Sequence, residues 1–302
     1  MAVITTGNHP AMLWPGLKAI WGRTYGEHAV EYDKLYSMES STRNYEKDVL
    51  VTGFSMATVK SEGGPVTYDS ETQGYSTTYT HVAYASGFIV TREERDDNLY
   101  EVSGKRRAAA NAFAMRQTKE TIAAQGYNRA FNDSYTFGDG TEMIATDHSS
   151  LNGDWANELS AAADLSEAAL EDLCVLIMGF TNHKGLKINA MPQSLIVPRQ
   201  LWHDANRILK STLQSGTANN DPNVLKMTNG IPGGITMNHY LTDTDAYFMR
   251  TNVPRGMIGY NRAKDELKRD NDFNTDNALA KSYERYSFGM TDPRGIVGSP
   301  GC

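Results

Sequence analysis

A single long helix between residues 91 and 127 is the feature that most constrains the fold of this chain. It opens with Thr91-Arg-Glu-Glu94, where a hydroxyl at the cap and a carboxylate three residues later form a capping box. Acidic residues lie near its beginning and basic residues follow, which suits the helix dipole. We predict a loosening at Gly104. At 1.5 Å per residue the helix would be roughly 50 Å long, so it must run along a domain as a beam.

The segment before this helix is predicted to be extended. Val49–Thr52 and Tyr75–Tyr84 are rich in β-branched and aromatic residues, and Ser61-Glu-Gly-Gly-Pro65 between them is a strong turn signal. The resulting hairpin or loop is mostly Thr, Ser, Tyr and Gly, so it has no hydrophobic core of its own. An isolated hairpin is marginal in water, so something else must support this one, and a neighbouring subunit is one candidate.

Residues 1–35 are predicted to form an arm that contains a short helix opened by Pro15. Leu13, Leu17, Ile20 and Trp21 would share one face of this helix. That face could pack on the core of its own chain. Alternatively it could pack on a neighbouring subunit, because large aromatic side chains are typical interface anchors.

The rest of the chain is predicted to be an α+β fold, with one lobe near 140–270 and a second lobe built from distant segments. A helix begins at Ser166, where Leu165 and Leu170 have hydrophobic-staple spacing. Strand Gln193–Val197 follows, and Pro198 is predicted to open a helix that ends near Lys210. Further strands are expected at 225–227, 235–237, 246–249 and 281–290.

The composition excludes several classes of protein. The net charge is −7, which argues against a dedicated nucleic-acid binder but not against a local basic patch. Two cysteines give no disulfide framework, so we expect a reducing compartment. The first residues do not resemble a signal peptide, and the longest apolar stretch, Val175–Phe180, is too short to span a bilayer. We expect a soluble, cytosolic product.

No catalytic signature is found. Gly53-Phe-Ser55-Met-Ala57 lacks the last glycine of a nucleophile elbow. Asp147, His148 and Ser149 are adjacent, and adjacent residues cannot form a triad with one another. The seven histidines have no metal-ligand spacing. The run Lys105-Arg106-Arg107 could touch phosphates, but acids one turn earlier favour a salt-bridged helix face. We predict no catalytic, cofactor-binding or metal-binding residues.

The order of these elements resembles the major capsid proteins of tailed bacteriophages, whose architecture is the Hong Kong 97 fold. The resemblance covers about residues 45–299 and is greatest to the Mu-like major head subunits. The segments that carry it are Gly87–Glu93, Asp96–Tyr100, Asn128–Asn132, Gly138–Glu142, Ala145–Ser149, Leu165–Leu170, Leu195–Pro198 and Tyr240–Asp245.

The resemblance implies a division of the chain into five parts. These are an N-terminal arm (1–35), an extended loop with flanking strands (36–90), a peripheral domain with its spine helix (91–150), an axial domain (151–265) and a C-terminal return to the peripheral domain (266–302). The chain has no long charged N-terminal extension, so a separate scaffolding protein is implied.

The implied function is that of a structural shell protein without enzymatic activity. The implied partners are copies of the same chain in pentamers and hexamers, scaffolding, portal or decoration proteins, and packaged double-stranded DNA, with no membrane. The implied location is the virion, after assembly in the bacterial cytoplasm. Eight residues are candidates for contacts between subunits: Trp14, Leu17, Trp21, Tyr75, Tyr79, Arg92, Arg106 and Arg107.

Two alternatives stay open. A bacterial nanocompartment shell would use the same fold to enclose protein cargo. A soluble hydrolase would use His148 with Asp147 or Ser149.

Overall fold

The structure is a computed structural model that describes residues 14–97, 100–214, 221–272 and 274–302. The α-helices among these residues are α1 (Trp14–Glu27), α2 (Tyr32–Leu35), α3 (Arg92–Asp96), α4 (Tyr100–Asn128), α5 (Glu167–Met178), α6 (Trp202–Lys210) and α7 (Val224–Met227). The strands are β1 (Ser37–Ser40), β2 (Tyr45–Val51), β3 (Gln73–Thr80), β4 (Val82–Val90), β5 (Pro192–Pro198), β6 (Ile235–Asn238), β7 (Tyr247–Thr251), β8 (Met257–Asn271), β9 (Ala278–Met290) and β10 (Ile296–Ser299).

The strands form two four-stranded sheets and one separate hairpin. The first sheet has the order β1-β8-β9-β4, the second has the order β10-β7-β5-β6, and β2 pairs only with β3. Within the sheets, β1 runs parallel to β8 and β5 parallel to β6, whereas the other pairs are antiparallel. Helices and mixed sheets alternate without a repeating unit, which is the predicted α+β class.

The long helix packs along the first sheet. Its small residues Ala108, Ala112, Ala123 and Ala124 are buried, which lets neighbouring elements approach closely. At 1.5 Å per residue the 29 residues of α4 extend about 43 Å. Helix α1 lies on its first half and α2 on its second half, while β4 and β9 contact it from the sheet.

The beginning of this helical region differs from the prediction. Thr91 Oγ1 accepts the N–H of Glu94 at 3.3 Å, which confirms the cap. The cap opens the short helix α3, which ends at Asp96, and a turn at Asp97 precedes α4. One continuous helix from Thr91 is therefore wrong. The predicted loosening at Gly104 is also wrong, because α4 runs through this buried glycine.

The second sheet carries the largest hydrophobic core, together with α5 and α6. Ser166 caps α5 by accepting the N–H of Ala169 at 3.2 Å, as its sequence predicts. Two predictions are wrong here. Pro198 ends the strand, as predicted, but it does not open the next helix, because it pairs with Asn238 and α6 begins only at Trp202. Residues 224–227 form a helix, since the Asn223 side chain accepts the N–H of Lys226.

Strand β8 is a 15-residue element that the sequence did not predict. Its second half is highly charged, and in that half only Leu267 is buried, so no alternating pattern is visible. Strand β9 pairs with β8 along its length, including the charged half, whereas β1 pairs with residues 258–261 in the first half. The predicted boundary at residue 265 therefore falls inside a strand. Within the predicted C-terminal return of 266–302, β9 pairs in the first sheet and β10 pairs with β7 in the second, and the domain division stays a prediction.

The two sheets meet where the chain crosses itself at two glycines. Gly256 precedes β8 of the first sheet, and Gly295 precedes β10 of the second. A Cβ on Gly256 would lie 2.5 Å from the Gly295 Cα, which is closer than real Cβ contacts. Only glycine fits at this crossing.

A group of buried charged residues lies under the middle of α4. Arg116, Lys119 and Glu120 of the helix and Glu284 of β9 are all buried. Lys119 Nζ is 3.3 Å from Glu284 Oε2, and Arg116 Nε is 3.5 Å from Glu120 Oε1. We call these four residues the charged layer. Two positive and two negative side chains balance one another, which is what burial of charge requires.

The charged layer also positions the segment before β1. Glu120 accepts the backbone N–H groups of Glu31 and Tyr32 at 3.2 and 2.9 Å, just where α2 begins. The ring of Tyr32 lies 5.4 Å from the Arg116 guanidinium and 4.9 Å from Lys119 Nζ. Such cation–π contacts are strongest when they are shielded from water. One turn of α4 thus fixes the entry to the first sheet.

Among the described residues, no helix is both long and apolar enough to cross a bilayer.

We predict strong energetic coupling between Lys119 and Glu284. The variant Glu284→Leu should lose about 3–5 kcal/mol of unfolding free energy, because it leaves a buried ammonium group without its partner. The double variant Lys119→Met/Glu284→Leu should be more stable than Glu284→Leu alone. Urea denaturation of the wild type, both single variants and the double variant measures the coupling. Additive losses would contradict a paired layer.

Candidate assembly interface

The hairpin β2–β3 projects from the two sheets as a separate unit. Its register runs from Tyr45 opposite Thr80 to Val51 opposite Gln73, with an irregularity between Val49 and Val51. Beyond the last pair, Thr52 donates its N–H to the Thr72 carbonyl at 3.1 Å. Residues 53–72, which we call the extended loop, then continue without regular helix or strand.

The extended loop presents apolar side chains to solvent. Val59 is fully exposed, Tyr68 is 92% exposed and Met56 is 76% exposed. Phe54 and Val66 are also more than half exposed. A cluster of exposed apolar side chains in one segment marks an interaction surface, whereas scattered ones need no explanation.

A group of polar contacts ties the end of the loop to Lys184, which lies between α5 and β5. Lys184 Nζ donates to both carboxylate oxygens of Asp69, at 3.1 and 3.2 Å, and to the Ser70 carbonyl at 2.6 Å. Asp69 also accepts the backbone N–H of Ser55. The hydrogen bond from Ser55 and then the contact with Lys184 hold the pKa of Asp69 well below its usual range. The carboxylate is therefore charged at every physiological pH.

The root of the hairpin is anchored in the body of the chain. Asp48 of β2 accepts from Arg255 Nη1 at 2.9 Å and from Thr291 Oγ1 at 3.0 Å. The Tyr79 hydroxyl lies 2.5 Å from the same Thr291 oxygen. Tyr79 is buried with Ile258 and Tyr260 of β8. The hairpin thus has a fixed root and an uncovered loop.

The predicted interface residues of the arm lie inside their own chain. Leu17 and Trp21 are buried against α4 and the end of the first sheet. Trp21 stacks on Tyr25 with ring centroids 5.1 Å apart, and its Nε1 donates to Asn111 Oδ1 at 3.0 Å. In this conformation the arm helix follows the first of its two alternatives. The backbone of Trp14 begins α1, but its side chain lies outside the described part of the structure, as does all of Leu13.

The three predicted arginines differ in their surroundings. Arg92 pairs with Asp96 at 3.4 Å and with Asp276 in the turn between β8 and β9. Arg107 Nη1 is 2.8 Å from Glu94 Oε2 of α3, so its partner lies on the preceding helix and not one turn earlier on α4. Arg106 is exposed on the same helix.

The two predicted tyrosines lie on β3 and face the body of the chain. Tyr79 is buried at the root of the hairpin. Tyr75 is half-buried, and its ring packs edge-on against His183 with centroids 6.2 Å apart. The seven predicted residues whose side chains the structure describes do not lie together at one place.

His148 is part of a buried structural network. Its Nδ1 is 2.6 Å from Asp139 Oδ2, its Nε2 is 3.1 Å from Asn157 Oδ1, and its ring stacks on Trp155. The side chains of Asp147 and Ser149 are exposed instead. A hydrolase that pairs His148 with either of them disagrees with this geometry.

Asn157 extends this network to the C-terminal segment. Its Oδ1 accepts the N–H of Ala145 at 2.8 Å, and its Nδ2 donates to the carbonyls of Met143, Pro293 and Ile296 at 3.0–3.2 Å. Asn157 therefore ties the turn after α4 to the strand that completes the second sheet.

Sequence reasoning missed the apolar residues of the extended loop. The signal was present, because Phe54, Met56, Val59, Val66 and Tyr68 interrupt a run of Gly, Ser, Thr and Pro. The segment contains few aliphatic residues overall, so its composition was interpreted as polar. Their spacing follows neither the helix nor the strand period, so no burial pattern drew attention to them.

The comparisons with solved structures agree with this fold. The virus-like particle from Pyrococcus furiosus shares 15% identity, with a TM-score of 0.55 over 94% of this chain and 97% of the other. The capsid of Myoviridae phage XM1 shares 12% identity, with a TM-score of 0.54 over 91% and 93%. The capsid of a native GTA particle shares 12% identity, with a TM-score of 0.56 over 90% and 91%. No curated protein sequence matches the chain significantly.

These similarities show that the chain has the Hong Kong 97-type capsid fold. A sequence model described as phage capsid protein matches residues 74–299, which is most of the chain. The chain therefore belongs to the phage capsid protein family. Its assignment to the Mu-like head subunits stays a prediction.

We predict that Asp139 contributes stability that disappears in acid. Burial raises its pKa, but the hydrogen bonds from His148 and Thr141 outweigh burial, so the net pKa is lowered. A lowered carboxyl pKa stabilises the fold above the unfolded value of about 3.9, and this contribution is lost as pH falls through the folded value. Asp139→Asn should cost about 1–3 kcal/mol at pH 7 and progressively less below pH 4.

Thermal and urea unfolding of this variant between pH 7 and pH 2.5 provide the measurement. Asp133→Asn is the matched control, because Asp133 is exposed in the same turn region. A stability difference that stays constant with pH would count against the Asp139–His148 contact.

Proposed function

We propose that this chain is the major head subunit of a tailed phage or prophage, and that it assembles into hexamers and pentamers that enclose double-stranded DNA. The observation that carries the proposal is the extended loop, with its exposed apolar residues and its anchored root. This loop is unsuited to a monomer and suited to a shell in which each subunit lies over its neighbour.

The energetics of the loop favour association. Burying an apolar side chain of this size contributes about 1.5–3 kcal/mol. Five such residues on each subunit supply on the order of 10 kcal/mol, from which the entropic cost of association and of ordering the loop must be subtracted. Head-to-tail contacts of this kind generate closed rings. In a closed ring every subunit makes this contact, so the favourable free energy of association is counted once for each subunit.

The two sheets support a division into two domains within the proposed shell. We assign the first sheet, with α1 and α4, to the peripheral domain, and the second sheet, with α5, α6 and α7, to the axial domain. The exposed apolar residues Val224 and Met227 of α7 are further candidates for contacts around the capsomer axis. The buried positions of Leu17 and Trp21 suggest that the arm helix stabilises the peripheral domain.

The proposed cargo is DNA held without sequence preference. The net charge of −7 suits a container whose wall does not grip its contents. Exposed Arg106 on α4 is a candidate for local contact with phosphates. Scaffolding, portal and decoration proteins are the further partners that this function requires, and the bacterial cytoplasm followed by the virion is the corresponding location.

A nanocompartment shell is the second candidate. The virus-like particle from Pyrococcus furiosus shares the fold along nearly the whole chain, so the fold by itself does not choose the cargo. Particles from a host that expresses only this chain with its neighbouring genes distinguish the two functions. Protected double-stranded DNA favours the phage head, whereas a co-purifying enzyme favours the nanocompartment.

We predict that the purified chain forms rings, tubes or shells. Negative-stain electron microscopy and light scattering on one sample, across protein and salt concentrations, test this. Co-expression with candidate scaffolding genes is the second arm. A monodisperse monomer or dimer in both arms would contradict the proposed assembly.

We predict that charge in the extended loop blocks assembly without unfolding the subunit. Val59→Asp places a carboxylate on the most exposed apolar position, so the assembled fraction should fall at least tenfold while the melting temperature of the subunit stays within about 2 °C. Leu151→Asp is the matched control, because Leu151 is 68% exposed and lies outside the loop. Equal loss of assembly in both variants would contradict a specific role of the extended loop in contacts between subunits.

A further inference from the structure

We propose that the joint between the hairpin and the first sheet is a lock controlled by protonation, with His81 at its centre. Neutral His81 strengthens the attachment of the hairpin to the sheet, in addition to the anchors at Asp48 and Tyr79, and a proton on its ring weakens it. The proposal concerns the single chain, so it does not depend on the proposed shell.

The topology defines the joint. Strands β1 and β4 belong to the first sheet, whereas β2 and β3 pair only with each other. The chain passes from β1 to β2 through residues 41–44, and from β3 to β4 through His81 alone. These two connections are the covalent links between the hairpin and the rest of the chain.

A single imidazole joins both connections to the sheet. His81 is 3% exposed. Its Nε2 lies 3.1 Å from Ser41 Oγ in the first connection. Its Nδ1 lies 2.9 Å from Ser287 Oγ of β9. The ring therefore bridges the entry to the hairpin, its exit and the sheet against which both lie.

The surrounding hydrogen bonds assign the proton on this ring. Ser41 Oγ donates its only proton to Glu46 Oε1 at 2.7 Å, and it accepts the N–H of Arg43 at 3.1 Å. It must therefore accept from Nε2–H of His81. Nδ1 is then the unprotonated nitrogen, and it accepts from the Ser287 hydroxyl. A second proton on the ring would go to Nδ1, and Ser287 would then have to turn its hydroxyl and accept from Nδ1–H.

The charges that face His81 oppose that second proton. Arg285 of β9 donates to the His81 carbonyl at 3.1 Å, and Arg262 of β8 donates to the Arg43 carbonyl at 2.9 Å. Glu46 of β2 is the opposing negative charge, and Tyr260 of β8 contributes a ring 6.0 Å away. Burial, followed by Arg285, lowers the pKa of His81 despite Glu46.

The sign of the effect follows from this lowered pKa. An open joint exposes His81, whose pKa then returns to the ordinary value of about 6.5. Protons therefore bind the open joint more tightly than the closed one, and the joint weakens as pH falls below that value. Between pH 8 and pH 5.5 the equilibrium for opening can rise by at most about tenfold.

Amide hydrogen exchange on the intact chain tests the lock. Exchange is followed by mass spectrometry at pH 8, 7, 6 and 5.5, and each rate is corrected for the intrinsic pH dependence. Protection of β2 and β3 is compared with protection of β5 and β7, which lie in the other sheet. We expect protection of the hairpin to fall severalfold toward pH 5.5 while protection of the second sheet stays constant.

The variant His81→Gln is the main comparison, because a neutral amide keeps polar contacts but cannot gain a proton. It should remove the pH dependence of hairpin protection. The control is His28→Gln, which replaces a half-buried histidine whose ring packs on Phe113 of α4 and not on the hairpin. It should leave the pH dependence of hairpin protection unchanged.

A titration of the histidine ring signals by NMR in the wild-type chain supplies a readout that does not need a variant. The His81 signal should titrate below the ordinary histidine range. An ordinary titration, hairpin protection that is constant with pH, or the same pH dependence in His81→Gln would each overturn the proposal.

Discussion

The charged layer under the middle of α4 is the constraint on which the rest of the structure depends. A helix about 43 Å long cannot be covered by one neighbour, and its buried face carries Arg116, Lys119 and Glu120 as well as alanines. Each charge must find its partner in a fixed register. Glu284 therefore sets where β9 lies, and Glu120 sets where the chain enters α2. Small residues permit the packing, and the charges specify it.

The hairpin depends on this arrangement through its root. Strand β9 carries Glu284 for the charged layer, Arg285 and Ser287 for the joint, and is followed by Thr291 for the anchor of Asp48 and Tyr79. One strand thus holds both the spine helix and the base of the extended loop. The orientation of the exposed apolar residues is consequently fixed by buried polar contacts far from them. The position of the extended loop and the stability of the chain are therefore linked through β9.

Local sequence rules succeeded where neighbouring residues decide the outcome. Ser166 caps α5 because a hydroxyl and the N–H three residues later are always within reach at a helix start. Thr91 caps its helix in the same way. The turn-rich segment between the strands of the hairpin was also recognised, and the α+β class followed from the order of elements. The resemblance to phage capsid subunits was confirmed by the family match and the fold.

Sequence alone determined the helices with capped ends, the hairpin with its loop and the family. Tertiary structure decided the features whose energy comes from distant partners. The charged residues of β8 form a strand because β9 pairs with them, residue by residue, from Glu266 to Asn271. Leu17 and Trp21 became core residues because α4 offers an apolar face and Asn111 accepts the indole proton. Gly256 and Gly295 meet only after both sheets have formed. A local sequence pattern indicates the conformational preference of a segment. Burial and strand pairing depend instead on which distant segments lie next to it in the folded chain.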